Sequence, residues 1–318
     1  MHNDLREGEG VNPGTTQQQD LHQPLKAAIE LELERLLPKT TTPPFDLHRA
    51  MHYALLTRGK RLRPLLTLFA AGDNNPSPDL LRIACVSELV HTASLILDDL
   101  PCMDDATLRR NRPCTHLAFS ESTAILTAVA LLNMAYGVIG GCRTLAPQTK
   151  IDIVTHLTQT VGSMGLVGGQ IADLQNNLGN DRATSARSIE QLYYHKTGVL
   201  FEFATVTGGR IRGLSGKKLT ALSRFARAFG LLFQIRDDLL DQESSTEQVG
   251  KDVGQDADKA TLLSLEPPQR LESTISRTLT MARQQLADAG LETSELRTLV
   301  DQSFAFELER PSVFAATS

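Results

Sequence analysis

Two runs of carboxylates sit where apolar helices should end or turn inward. Asp98-Asp99-Leu100-Pro101-Cys102-Met103-Asp104-Asp105 closes the apolar stretch LVHTASLIL, and Asp237-Asp238-Leu239-Leu240-Asp241 lies within FGLLFQIRDDLLDQ. Like charges this close repel, and a buried, unpaired carboxylate is costly. One such cluster reads equally well as a solvated helix face. Two, each following a long apolar segment, argue for a shared task. The chemistry that fits is hard-cation binding, because Mg²⁺ takes oxygen ligands and is held by one or two carboxylates plus substrate phosphates and water. Asp237 and Asp241 stand i, i+4 and can point to one side of a helix. Asp98 and Asp104 are not a helical pair. Pro101 ends regular helix there, and a short loop is expected to bring Asp104 back. Two facing patches of this kind could clamp a diphosphate through bridging metal ions.

The cations are as clustered as the acids. Gly59-Lys60-Arg61-Leu62-Arg63-Pro64 places three in four residues, Arg109-Arg110-Asn111-Arg112 follows the first acidic run, and Lys196-Thr197 and Gly250-Lys251 lie further on. Arginine offers bidentate phosphate contacts and lysine a point charge. Each alone would be an ordinary solvated cation. An arginine pair directly behind an aspartate-rich loop completes the parts list for diphosphate chemistry.

The elements that must hold these groups are helices. Apolar residues recur with helical period over 25–37, 46–57, 63–71, 79–99, 118–142, 148–177, 187–210, 217–242, 269–290 and, more weakly, 294–309. These segments are rich in Leu and Ala, and no hairpin signals divide short alternating runs, so the expected fold class is all-α. Aromatic residues make up 5% and Trp is absent, so the interior must be mostly aliphatic. Residues 1–20 are polar and read as a disordered arm before one helical domain over 21–318. The net charge of −5 carries no basic face of the kind nucleic acid needs. The four cysteines form no CxxC pair, which suits a reducing, cytoplasmic setting. No run of about 18 uncharged apolar residues suggests a transmembrane segment.

Taken in order, the motifs resemble those of the trans-isoprenyl diphosphate synthases, in particular bacterial geranylgeranyl diphosphate synthases. LDDLPCMDDATLRR at 97–110 looks like that family's first aspartate-rich motif with its arginine pair, and FQIRDDLLD at 233–241 like the second. GKRLRP at 59–64, GLVGGQIADL at 165–174, KTG at 196–198 and GKDVGQDADKAT at 250–261 add four more matches. The resemblance implies an all-α bundle around a central apolar cavity, usually as a homodimer. It implies three Mg²⁺ ions on Asp98, Asp99, Asp104, Asp237, Asp238 and Asp241. Arg109, Lys196 and Lys251 would hold the allylic diphosphate (dimethylallyl, geranyl or farnesyl). Gly59, Lys60, Arg63, His91 and Arg110 would hold isopentenyl diphosphate without metal, and Lys259 belongs to the substrate-binding set. Thr197 and Gln234 would turn oxygen dipoles towards a developing cation.

Product length is expected to depend on the residues beneath the first acidic motif. Ala93 and Ser94 are small there, with Val90 one turn further from the motif. Small residues favour a C20 product, with C15 and C25 as alternatives. A class I terpene cyclase would show N/D-x-x-S/T-x-x-x-E as its second motif, which DDLLD is not. An inactive synthase subunit would be expected to lose one acidic motif, and both are present. Asn111, where the family usually has a smaller residue, is a departure.

Overall fold

The computed structural model describes residues 22–177, 185–243 and 260–309. Among the described residues eleven helices run as far as Glu243: α1 (Gln23–Leu36), α2 (Phe45–Leu55), α3 (Leu62–Ala71), α4 (Pro78–Asp98), α5 (Thr115–Ala118), α6 (Glu121–Gly141), α7 (Pro147–Val161), α8 (Leu166–Asn177), α9 (Ala186–Tyr193), α10 (Val199–Ile211) and α11 (Gly216–Glu243). Three more, Leu262–Leu265, Pro268–Ala289 and Glu295–Glu309, follow. The expected all-α class holds. The amino-terminal arm expected over 1–20 lies outside the described residues.

Local chemistry sets several boundaries. Ser77 accepts a hydrogen bond from the Leu80 amide and Pro78 occupies the first helical turn, so α4 starts there. Ser120 caps α6 in the same way, and Ser185 and Ser188 form a reciprocal capping box on α9. Gly72 and Gly290 end their helices in left-handed conformations.

Two helices form the centre. Eleven consecutive residues of α10, Val199 to Gly209, are buried, and α4 is buried on most of its circumference. A helix enclosed this way must be apolar all round. α3, α7 and α11 pack on α10, and α1, α2, α3 and α6 pack on α4. The main aliphatic core joins these elements with the last two helices, and Phe69, Phe201, Phe203, Phe225, Phe229 and Phe304 are its largest enclosed side chains.

The structure departs from the periodicity in three places. The stretch expected as one helix over 148–177 is two, broken by the turn at 162–165. The segment expected over 187–210 contains a five-residue π turn, Tyr194–Gly198, between α9 and α10. Residues 108–113 form a two-stranded hairpin, Leu108–Arg109 against Arg112–Pro113. Its two-residue turn puts both Arg110 (φ 54°) and Asn111 (φ 60°) in the left-handed region. Asparagine is among the non-glycine residues that best tolerate that region, which accounts for Asn111 at the departure noted in the sequence.

Contrary to the expectation from the sequence, α4 and α6 are long and apolar enough, by length and composition alone, for a bilayer crossing. The apolar window of α4 is 72% buried within the protein, whereas that of α6 is 33% buried and leaves an outer face uncovered.

Gly169 on α8 lies against the backbone of the π turn. A Cβ there would stand 2.8 Å from the carbonyl carbon of His195. Gly169→Ala is therefore expected to push α8 off the turn, at a cost of about 1–3 kcal/mol. Thermal unfolding measures that cost, and it should appear alongside reduced activity.

Candidate active site

The first acidic run begins where α4 stops. Asp99 follows the helix in a near-helical conformation, and Leu100 and Pro101 carry the chain into a turn. The Asp104 amide then donates to the Asp98 carbonyl at 2.9 Å, and the Asp105 amide to that of Leu100 at 3.1 Å. The loop thus folds back as the sequence suggests, returning Asp104 to the end of α4. Asp98 is partly exposed at the rim yet hemmed in by protein atoms. That burial, opposed by the Lys196 charge and reinforced by Asp104, raises its carboxyl to about 7.

Asp99 takes another direction. It is 3% exposed and accepts from the Arg109 guanidinium, whose Nε lies 3.0 Å away. Arg109 and Arg110 line a small, mainly apolar hollow with Tyr53, Leu95, Ile96 and Asp99. Arg110 Nη1 donates to the Thr57 carbonyl at 3.0 Å. Gly59 is tight against that arginine: a Cβ on it would lie 2.8 Å from Arg110 Nη1. Arg112 stacks on the Tyr53 ring, 4.0 Å from its centroid.

The metal-free cations collect on an aromatic shelf. The Arg63 guanidinium lies 4.5 Å from the Phe201 ring centre, and Lys60 Nζ 5.9 Å from that of Phe233. The Arg63 Nε is buried with no hydrogen-bond partner. Desolvation draws its pKa down to about 10, against the pull of Glu88 and Asp237 and together with repulsion from Arg110. Burial, then Arg63, Arg110 and Arg109, hold His91 far below the ordinary imidazole range.

The π turn joins the two acidic runs. Its Lys196 donates to Asp173 on α8 at 2.6 Å and feels the charges of Asp104 and Asp98. Burial alone would lower the Lys196 pKa, but these carboxylates outweigh it and raise it. The next residue, Thr197, donates to Gln234 Oε1 on α11 at 2.9 Å, and Gln234 Nε2 donates to Asp238 at 2.8 Å. The Tyr193 hydroxyl also donates to Asp238 and accepts from the Leu262 amide at 3.1 Å. Asp237 neighbours this chain and lies near enough to Arg63 to act on its charge. The structure therefore links Asp98, Asp104, Arg109 and Lys196 through their charges and Thr197, Gln234 and Asp238 through hydrogen bonds, while Arg63 feels Asp237 and Arg110, and His91 feels Arg63, Arg109 and Arg110. Asp99 and Asp238 are engaged by protein donors. Asp241 lies one turn on in α11, while Lys251 and Lys259 lie outside the described residues.

The Polyprenyl synthetase family model matches residues 45–288. The chain belongs to this family. It is 40% identical over 273 residues to the geranylgeranyl diphosphate synthase of Pantoea ananas, covering 85% of this chain and 88% of that one. It is 38% identical over 263 residues to the chloroplastic geranylgeranyl pyrophosphate synthase 7 of Arabidopsis thaliana, covering 81% and 74%. The geranyltransferase of Helicobacter pylori, crystallised with magnesium and isoprenyl diphosphate, superposes with a TM-score of 0.76 at 26% identity, covering 92% and 98%. The FPP/GFPP synthase of Zymomonas mobilis gives 0.75 at 32% identity, covering 88% and 97%.

Within this polyprenyl synthetase, sequence reasoning missed two residues that organise the site. Asp173 holds Lys196, and Tyr193 ties Asp238 to the helix Leu262–Leu265. Asp173 left a legible trace, a lone acid buried in the apolar α8 motif GLVGGQIADL. Tyr193 left none, since its role depends on contacts 45 and 69 residues away.

An all-oxygen, crowded carboxylate pair suits a hard divalent ion. Among the described residues no three acidic, imidazole or thiol side chains converge on one point. Metal ions would therefore need ligands from substrate or water.

The raised Asp98 carboxyl gives a pH prediction. The unfolded chain releases this proton near pH 4 and the folded one near 7. Across that window the unfolded state binds fewer protons, so stability falls as pH rises. Asp98→Asn is expected to stabilise the metal-free protein by on the order of 2–4 kcal/mol at pH 8, and hardly at pH 4. Denaturant unfolding at the two pH values tests this.

Proposed function

We propose that the protein condenses isopentenyl diphosphate head-to-tail with an allylic diphosphate, in a Mg²⁺-dependent reaction, to give geranylgeranyl diphosphate. The observation that carries this reading is the π turn, where Lys196 faces the first acidic run while Thr197 is bonded to the helix of the second. The cationic shelf of Lys60, Arg63, His91 and Arg110 offers a second anion a place without metal. A terpene cyclase would have no use for it.

In this reading Arg109 and Lys196 hold the allylic diphosphate as its C–O bond ionises, with Lys251 and Lys259 assisting. Asp98, Asp104 and Asp237 would hold three Mg²⁺ ions, with Asp99, Asp238 and Asp241 supporting. Bound Mg²⁺ draws negative charge from the leaving diphosphate. Thr197 and Gln234 present oxygen dipoles to the allylic cation. The isopentenyl diphosphate, fixed on Lys60, Arg63, His91 and Arg110, attacks with its double bond, and a proton then leaves to the released diphosphate. Apolar walls keep water from quenching the cation.

A C20 product is favoured by the small, enclosed Ala93 beneath the acidic run, with Val90 and Ser94 beside it. The named synthases among the relatives support the same length. We further propose a homodimer in a cytoplasmic setting. Large apolar side chains stand exposed on neighbouring helices: Ile125, Leu126 and Val129 on α6, Ile151 on α7, and Val167 and Ile171 on α8. A second copy would cover them.

Incubation with labelled isopentenyl diphosphate and each allylic primer, followed by chromatographic sizing, is expected to give C20. Dependence on primer alone, with no isopentenyl diphosphate incorporated, would end the proposal. Asp98→Ala and Asp237→Ala are each expected to lose at least about 100-fold in kcat with helical content unchanged, as loss of transition-state charge stabilisation requires. Ala93→Tyr should shift the product towards C15, and continued release of C20 alone would remove Ala93 from the floor.

A further inference from the structure

Between Lys60 and Arg63 lies a third cation, Arg61, whose partners are the protein's own. The Arg61 side chain has no exposed surface, and its backbone is left-handed, with φ 49°. Such a conformation costs a non-glycine residue about 1–2 kcal/mol, so the surroundings must impose it. Arg61 Nε and Nη2 grip both oxygens of Glu30 on α1, at 2.8 and 3.0 Å. Nη1 donates to Glu88 on α4, and Nη2 also reaches the Leu55 and Thr57 carbonyls at 2.9 and 3.1 Å.

These partners are not spread at random. Glu88 lies one turn before His91 on α4. The Thr57 carbonyl accepts from Arg110 as well as from Arg61, so one peptide group ties the buried arginine to a cation of the site. Leu55 ends α2 and Leu62 begins α3, and Arg61 spans the connection between them. Glu88 is also a counter-charge to Arg63 and Arg110, which otherwise repel each other. Only a planar, five-donor guanidinium can serve two carboxylates and two carbonyls at once.

We propose that Arg61 is a positioning residue, a buried latch through Glu30 and Glu88 that holds the 57–63 loop so that Lys60 and Arg63 face the metal-free diphosphate. This rests on the reading that those two cations receive isopentenyl diphosphate. A merely structural arginine would lower stability and disturb both substrates alike. A latch for this loop affects one substrate.

The test is steady-state kinetics of the full chain with each substrate varied in turn, on Arg61→Lys, Glu30→Gln and Arg63→Gln. Losing buried charge-assisted hydrogen bonds should raise the KM for isopentenyl diphosphate about tenfold in Arg61→Lys, with the KM for the allylic primer changed less than about twofold. Glu30→Gln, at the half-exposed end of the latch, should show the same selectivity at about threefold, and it decides the matter if Arg61→Lys does not fold. Equal shifts in both KM values, or a lower melting temperature with neither KM changed, overturn the latch. Arg63→Gln separates the two levels. If it spares isopentenyl diphosphate, the underlying reading fails. If it raises that KM while both latch variants leave it unchanged, only the latch fails.

Discussion

The structure is organised around one difficulty, that of keeping many partly buried charges close together among packed helices. Each desolvated charge is costly without a partner. The observed answer is partial pairing. Asp99 is given to Arg109, Asp173 to Lys196 and Glu88 to Arg61, while the Arg63 Nε is buried without a hydrogen-bond partner. Two of these acids hold cations proposed to meet a diphosphate, Asp99 holding Arg109 and Asp173 holding Lys196.

The backbone shows the same division. Among the described residues the non-glycine positions with positive φ are Arg61, Asp105, Arg110 and Asn111. All lie in the loops carrying the charged motifs and none in the helical scaffold. Strain at such positions persists only where surrounding contacts fix it. The hydrogen bonds of Arg61 and the hairpin around Arg110 and Asn111 supply that fixing.

The π turn is the third device. A regular helix from Ala186 to Ile211 would advance each side chain by about 100° and could not give Lys196 and Thr197 these directions without displacing α10 from the core. One widened turn changes the phase locally, as π turns often do at functional sites. Glu202 on α10 then secures it, accepting from Tyr194 at 2.7 Å and from Ser223 and Arg227 on α11.

Much of this was legible in the residues. Helical period gave the all-α class, and nearly every long helix falls within a few residues of its expected position. Each is built from local spacing, with caps such as Ser77 and Ser120 written beside it. The acidic and basic motifs announced their chemistry because charge within apolar runs is costly enough to need a reason. What the sequence could not contain were relations between distant segments. The break at 162–165, the widened turn before α10, Tyr193 reaching Asp238, and Arg61 buried against Glu30 and Glu88 beside an exposed Lys60 all depend on which side chains meet across tens of residues. Spacing along a chain fixes which groups are available. Packing alone decides which of them are spent on one another and which remain for a ligand.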